Sequence, residues 1–286
     1  MIMNPTLLGI TLTLIGTALN NFGIVIQKLR VNFHQQHSSG TNIPINYFKD
    51  LWWVLGIAMQ VIICVPFFLL AVGYIGITLA QPLGNAGIIF LVLGLVGWLH
   101  EKLHRIEWFG IFFLIIGMIA IGVGGVEGTV TFMMFLSPNS QKYFYIFMLG
   151  AGILLCGALF IGKTSKKLRP ALWGFGSGIC YSFVSLGMQI ISLFITDIQA
   201  NPPLVYLIIG LIFVVGGTVG AIFLTQDAFK LSQAVNIVPF AQIPMNLLPV
   251  IAGLYIFNQS LLYPSFFLTG LVLIIIASSF LARLQQ

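Results

Sequence analysis

From Leu51 to His100 the chain runs fifty residues without Asp, Glu, Lys or Arg. No water-soluble domain can cover its surface from such a run, but a lipid bilayer can accept it. The rest of the chain agrees: charged residues make up 6% and hydrophobic residues 59%, where soluble domains carry about 25% charged residues. The longest hydrophilic stretch, residues 28–50, is too short to fold alone. The sequence therefore predicts one all-α integral membrane domain over residues 1–286.

Spanning helices need about 20 apolar residues. The sequence predicts nine, over residues 5–27, 51–72, 76–99, 107–126, 143–162, 170–195, 203–226, 232–257 and 264–282. Gly73 and Gly76 divide the second from the third. Asn258, Gln259, Ser260 and Pro264 divide the eighth from the ninth. With nine spans, 11 of the 12 basic residues fall on one side, and only Lys142 lies opposite. The positive-inside rule then places the N-terminus outside and the C-terminus in the cytosol. A multi-pass protein of the plasma or inner membrane is expected.

Residues 78–90, TLAQPLGNAGIIF, place a glutamine, a proline, an asparagine and two glycines inside this apolar run. Shifted by 157 residues, Pro82 falls on Pro239, Gly84 on Ala241 and Asn85 on Gln242. Spans 2–4 then map onto spans 7–9 in the opposite orientation, and span 1 falls near span 6. The halves are roughly residues 1–126 and 143–286. Inverted repeats place a binding site at their interface, between helices that carry breakers. Thr78, Gln81 and Asn85 share a helix face, as do Gln242 and Asn246, with Asn236 somewhat off it.

The expected substrate-binding residues are Asn20 and Asn21 in span 1, Gln81 and Asn85 in span 3, Tyr181, Ser185 and Gln189 in span 6, and Asn236, Gln242 and Asn246 in span 8. Pro82, Gly84, Pro239 and Pro244 are expected as hinges. The competing reading of each amide is an interhelical hydrogen bond.

The stretch from Gly73 to Gly125 resembles the drug/metabolite transporter superfamily, which includes the EamA-type permeases. The resemblance rests on a span with a central Pro82, then Glu101 with Lys102, then a helix carrying Gly110, Gly117, Gly122, Gly124 and Gly125. Trp52 and Trp53 at the start of span 2, with Pro82-Leu83-Gly84, look most like its NIPA-type magnesium transporter branch. The resemblance implies an alternating-access carrier with a central cavity. Members of that branch carry a Gly-Glu pair in span 2, where this chain has Cys64 and Val65.

The six acids all lie away from the helix midpoints. Asp227 comes nearest, and it pairs by spacing with Lys230. His100 and His104 have zinc-ligand spacing but no third ligand. Cys64, Cys156 and Cys180 all sit in apolar segments, so they suit packing better than disulfides. Neither an enzyme's catalytic constellation nor a cofactor motif is present. The sequence thus predicts a carrier of a small polar organic solute, with a cavity between spans 1, 3, 6 and 8. The alternatives are a NIPA-like magnesium carrier or, outside transport, a membrane enzyme or scaffold. The expected partners are a small-molecule or ion substrate and the bilayer. A homodimer is compatible with this reading, and nucleic acid is not.

Overall fold

A computed structural model describes residues 5–37, 50–99, 103–127, 130–197, 202–229, 231–232 and 237–281. The chain is an all-α, multi-pass membrane protein. Among the described residues, eight helical runs are long and apolar enough to cross a bilayer. Glu101, Lys102, His100, Lys230 and Asn236 lie outside the described residues.

The elements are α1 (Pro5–His37), α2 (Leu51–Ile57), a π-helical stretch (Ala58–Ile63), α3 (Cys64–Ala86), α4 (Ile88–Leu99), α5 (Arg105–Gly124), β1 (Val126–Glu127), α6 (Phe132–Phe135), α7 (Pro138–Thr164), α8 (Arg169–Thr196), α9 (Leu204–Phe229), α10 (Val238–Tyr255), β2 (Ser260–Leu261) and α11 (Pro264–Leu281). Several ends move from the expected ones. The first helix continues to His37, because no proline or glycine stops it after Gln27. The helix α10 begins at Val238 instead of residue 232, with Pro239 in its first turn, where a missing N–H costs nothing. The short antiparallel pairing of β1 with β2, Val126 opposite Leu261, was not legible in the sequence.

The run Leu51–Trp98 holds 48 residues. As one rod it would be roughly 72 Å long, against a hydrocarbon core of about 30 Å. It folds back at Gly76 instead, whose φ of 68° and ψ of 167° break the helix. The neighbours of α1 show the reversal. Gly9 lies against Ile75, Gly16 against Phe67 and Gly23 against Gly56, so residues 56–75 run antiparallel to α1. Thr17 lies against Gly87 and Val25 against Gly94, so the later residues run parallel to it.

Small residues set the closest crossings, as lipid offers no hydrophobic drive between helices. Gly23 meets the carbonyl of Gly56 between α1 and α2, and Gly187 meets that of Gly210 between α8 and α9. Gly117 and Gly270 do the same between α5 and α11. The most enclosed helix is α8, which packs against α3, α7, α9 and α10. The outer faces are apolar, and Trp52, Trp98 and Trp108 stand exposed near helix ends, where indoles favour the bilayer interface.

Candidate functional site

Polar side chains gather in two places inside the bundle. The first is the bend at Gly76. A helix that restarts after a break has backbone N–H groups without intrahelical partners. Gln189 of α8 meets this need: its Oε1 accepts from Ile77 N at 2.8 Å, and its Nε2 donates to Ser192 Oγ at 3.1 Å. On the other side of the bend, Gln259 Nε2 donates to Ile75 O at 3.3 Å. Its Oε1 accepts from Thr78 Oγ1 at 2.7 Å. A side chain at Gly76 would collide with the Gln259 amide, so the bend needs glycine for space as well as for its positive φ.

The second place is a cavity of about 220 Å³. From α1 it takes Gly16, Thr17 and Asn20, and from the second half of α3 it takes Gln81, Gly84 and Asn85. Tyr181, Val184, Ser185 and Met188 come from α8, and Met245 comes from α10. The first half of α3 adds Cys64, Val65 and Phe68. Asn20, Gln81, Gly84, Asn85, Tyr181 and Ser185 from the sequence reading are therefore brought together.

The other expected residues are placed differently. Asn21 Nδ2 donates to Thr17 O on its own helix at 2.8 Å. Gln189 is fully buried at the Gly76 bend, one turn beyond Ser185. Asn85 meets Asn246 rather than Gln242: its Nδ2 donates to Asn246 Oδ1 at 2.9 Å. Asn246 Nδ2 in turn donates to Gln242 O and Oε1, both at 2.9 Å. This amide chain ties α3 to α10, one helical turn away from the mate that the 157-residue shift gave. Pro82 interrupts α3 between Gln81 and Leu83, while Pro244 and Pro249 lie inside α10. The ring of Pro244 approaches Gly178 of α8. Gly84 lies against Phe68.

Within the cavity wall, Ser185 Oγ donates to Gln81 Oε1 at 2.6 Å, which fixes both side chains across α8 and α3. Asn20 is different. Its Oδ1 is buried and has no hydrogen-bond partner. A buried acceptor left unpaired costs about 1–3 kcal/mol, which water or a ligand with positive charge can offset. Among the described residues, no three of His, Cys, Asp and Glu come together. A cation in this cavity would meet amide, hydroxyl, backbone and sulfur atoms, and no carboxylate from the wall.

Span 2 was the contribution missed from sequence. Its residues there are apolar or thiol, so polarity gave no signal. The pointer was the resemblance, which set Cys64 and Val65 where NIPA-type proteins carry Gly-Glu, and both line the cavity.

The chain is similar to a protein named probable magnesium transporter NIPA9, from Arabidopsis thaliana. The two are 22% identical over 262 residues, which cover 88% of this chain and 74% of that protein. No family model matches the chain. No solved structure matches it. The resemblance to the NIPA-type branch of the drug/metabolite transporter superfamily therefore extends along most of the chain.

Proposed function

We propose that this chain is a membrane carrier of the NIPA type that moves a hydrated divalent cation, magnesium foremost, through the cavity between α1, α3, α8 and α10. The observation that carries this is Asn20, which lines the cavity and whose buried Oδ1 has no hydrogen-bond partner, so that no bond holds it from turning toward a guest. An oxygen without a donor favours a positive or proton-donating guest. The similarity to a probable magnesium transporter supports the cation over the organic solute expected from sequence.

Magnesium gives up water reluctantly and usually keeps several of its waters when bound. A wall of amides and hydroxyls suits that state: shell waters donate to the wall oxygens, Asn20 Oδ1 among them once its side chain turns inward, and no side chain needs to enter the inner sphere. The absence of a carboxylate at the wall makes capture weak, so voltage matters. A 100 mV potential contributes about 4.6 kcal/mol to moving two charges across the membrane.

Counting the run folded at Gly76 as two spans gives nine among the described residues; an odd count sets the termini on opposite sides, and the sorting of basic residues supports an outer N-terminus. An inverted repeat of residues 1–126 and 143–286 is supported by the matched glycine crossings, Gly23 with Gly56 and Gly187 with Gly210. They join spans 1 and 2 in the first half and spans 6 and 7 in the second, the spans that the 157-residue shift pairs.

The test is purified protein in liposomes with a trapped magnesium dye and an imposed inside-negative potential. Saturable uptake that Asn20→Leu lowers at least tenfold is the expected result. A second reading, a polar organic solute, is favoured by Phe68 and Tyr181 at the same wall. No magnesium uptake, together with thermal stabilisation by an organic ligand, would select it.

A further inference from the structure

The cavity wall has a second chemical character that the carrier reading does not use. Cys64 from α3, Met188 from α8 and Met245 from α10 all line it. We infer that these three sulfurs form a binding site for a soft monovalent metal cation, Cu(I) or its surrogate Ag(I).

Donor type decides the class of ion. Thiolate and thioether donors select soft metals, and Cu(I) foremost among the biological ones. Charge decides the valence. One thiolate and two neutral thioethers carry a single negative charge, which a monovalent ion cancels. A divalent ion stripped of its waters to meet these sulfurs would leave net charge in a low-dielectric enclosure, at a desolvation cost. Methionine side chains are unbranched and flexible, so Met188 and Met245 can adjust to an ion held by Cys64.

The local backbone engages the thiol. At the end of the π-helical stretch, Cys64 N donates to Met59 O, five residues back. The Gln60 carbonyl, its partner in an α-helix, instead accepts from Cys64 Sγ at 2.7 Å. When the metal binds, the S–H bond breaks, an S–metal bond forms, and the proton passes to cavity water. Nothing is oxidised or reduced. The site requires only the cavity and holds whether or not magnesium is the carried ion.

The experiment uses the full chain in nanodiscs, with Cys156→Ala and Cys180→Ala to remove the other thiols. Silver is titrated, bound metal is counted, and its neighbours are read by X-ray absorption. The expected result is one silver per chain with three sulfur neighbours. Met188→Leu and Met245→Leu should each remove one neighbour and weaken binding at least tenfold, and Cys64→Ser should abolish it. Leucine nearly conserves methionine's volume, so these two variants keep the test open even if Cys64→Ser fails to fold. Silver bound equally tightly by both methionine variants would overturn the proposal, leaving Cys64 as an ordinary thiol. Displacement of silver by an equal concentration of Zn(II) would overturn the monovalent assignment.

Discussion

The bend at Gly76 and the cavity beside Asn20 are both polar regions inside an apolar bundle, built from the same residue types. At the bend, Gln189 and Gln259 hold the groups that the broken helix exposes, Ile77 N and Ile75 O. At the cavity, Asn20 Oδ1 is left without a partner. In lipid an amide that finds a partner acts as structural glue, and one that does not is left with an unmet hydrogen-bonding need. Ser185 and Gln189 show how close the two regions lie along a single helix face. One lines the cavity and the other closes the bend, four residues apart.

The largest stability effect is expected at the bend. Gly76→Ala forces a side chain onto a positive φ and into the Gln259 amide. Strain and displaced hydrogen bonds together should cost about 3 kcal/mol or more, read as a lowered midpoint of unfolding in detergent. Little or no loss would mean that the bend is not the tight junction described. Gln259→Leu comes next. It leaves Ile75 O and Thr78 Oγ1 without their partner, and about 1–3 kcal/mol should be lost, while cation uptake per folded molecule stays near normal.

Asn85 stands between the two regions, because it lines the cavity and also bonds to Asn246. Asn85→Leu should therefore lower transport and cost about 0.6 kcal/mol, up to roughly 1.7. Intact transport with lowered stability would move Asn85 wholly to the structural side. The smallest stability effect belongs to Asn20→Leu. Removing an unpaired buried acceptor should leave the unfolding midpoint unchanged or slightly higher, with uptake lost. A clear drop in stability would show that Asn20 already has a partner and would sink the contrast. A gain-of-function variant sharpens it from the other direction: Val65→Glu places a carboxylate at the cavity wall and should lower the magnesium concentration for half-maximal uptake about tenfold.

Much of the scaffold was legible because its signals are local. Apolar runs of spanning length, Gly76 as a break, and Pro264 as a helix start each follow from a few adjacent residues. The fate of each amide was not legible, because it depends on which helix lies opposite. The spacing of Thr78, Gln81 and Asn85 placed them on one face, yet nothing in it distinguished Thr78, held by Gln259, from Asn85, facing the cavity. The repeat shift made Gln242 the equivalent of Asn85, but an equivalence of positions does not say which side chain bonds to which, and it is Asn246 that Asn85 meets. Cys64 escaped notice because a thiol in an apolar segment reads as filler.

The six π-helical residues Ala58–Ile63 lie just before that thiol. A π turn holds one residue more than the α register accommodates. Deleting one residue there would let the turn relax to α-helix with its flanks nearly in phase, and deleting a second would rotate one flank by about 100° relative to the other. If Gly56 kept its seat against Gly23, Cys64 and Val65 would swing off the cavity wall and different side chains would replace them. A two-codon change in chain length, with no substitution at the wall, could therefore exchange the atoms that line the cavity. This makes insertion and deletion a route by which a cavity of this build can change what it binds.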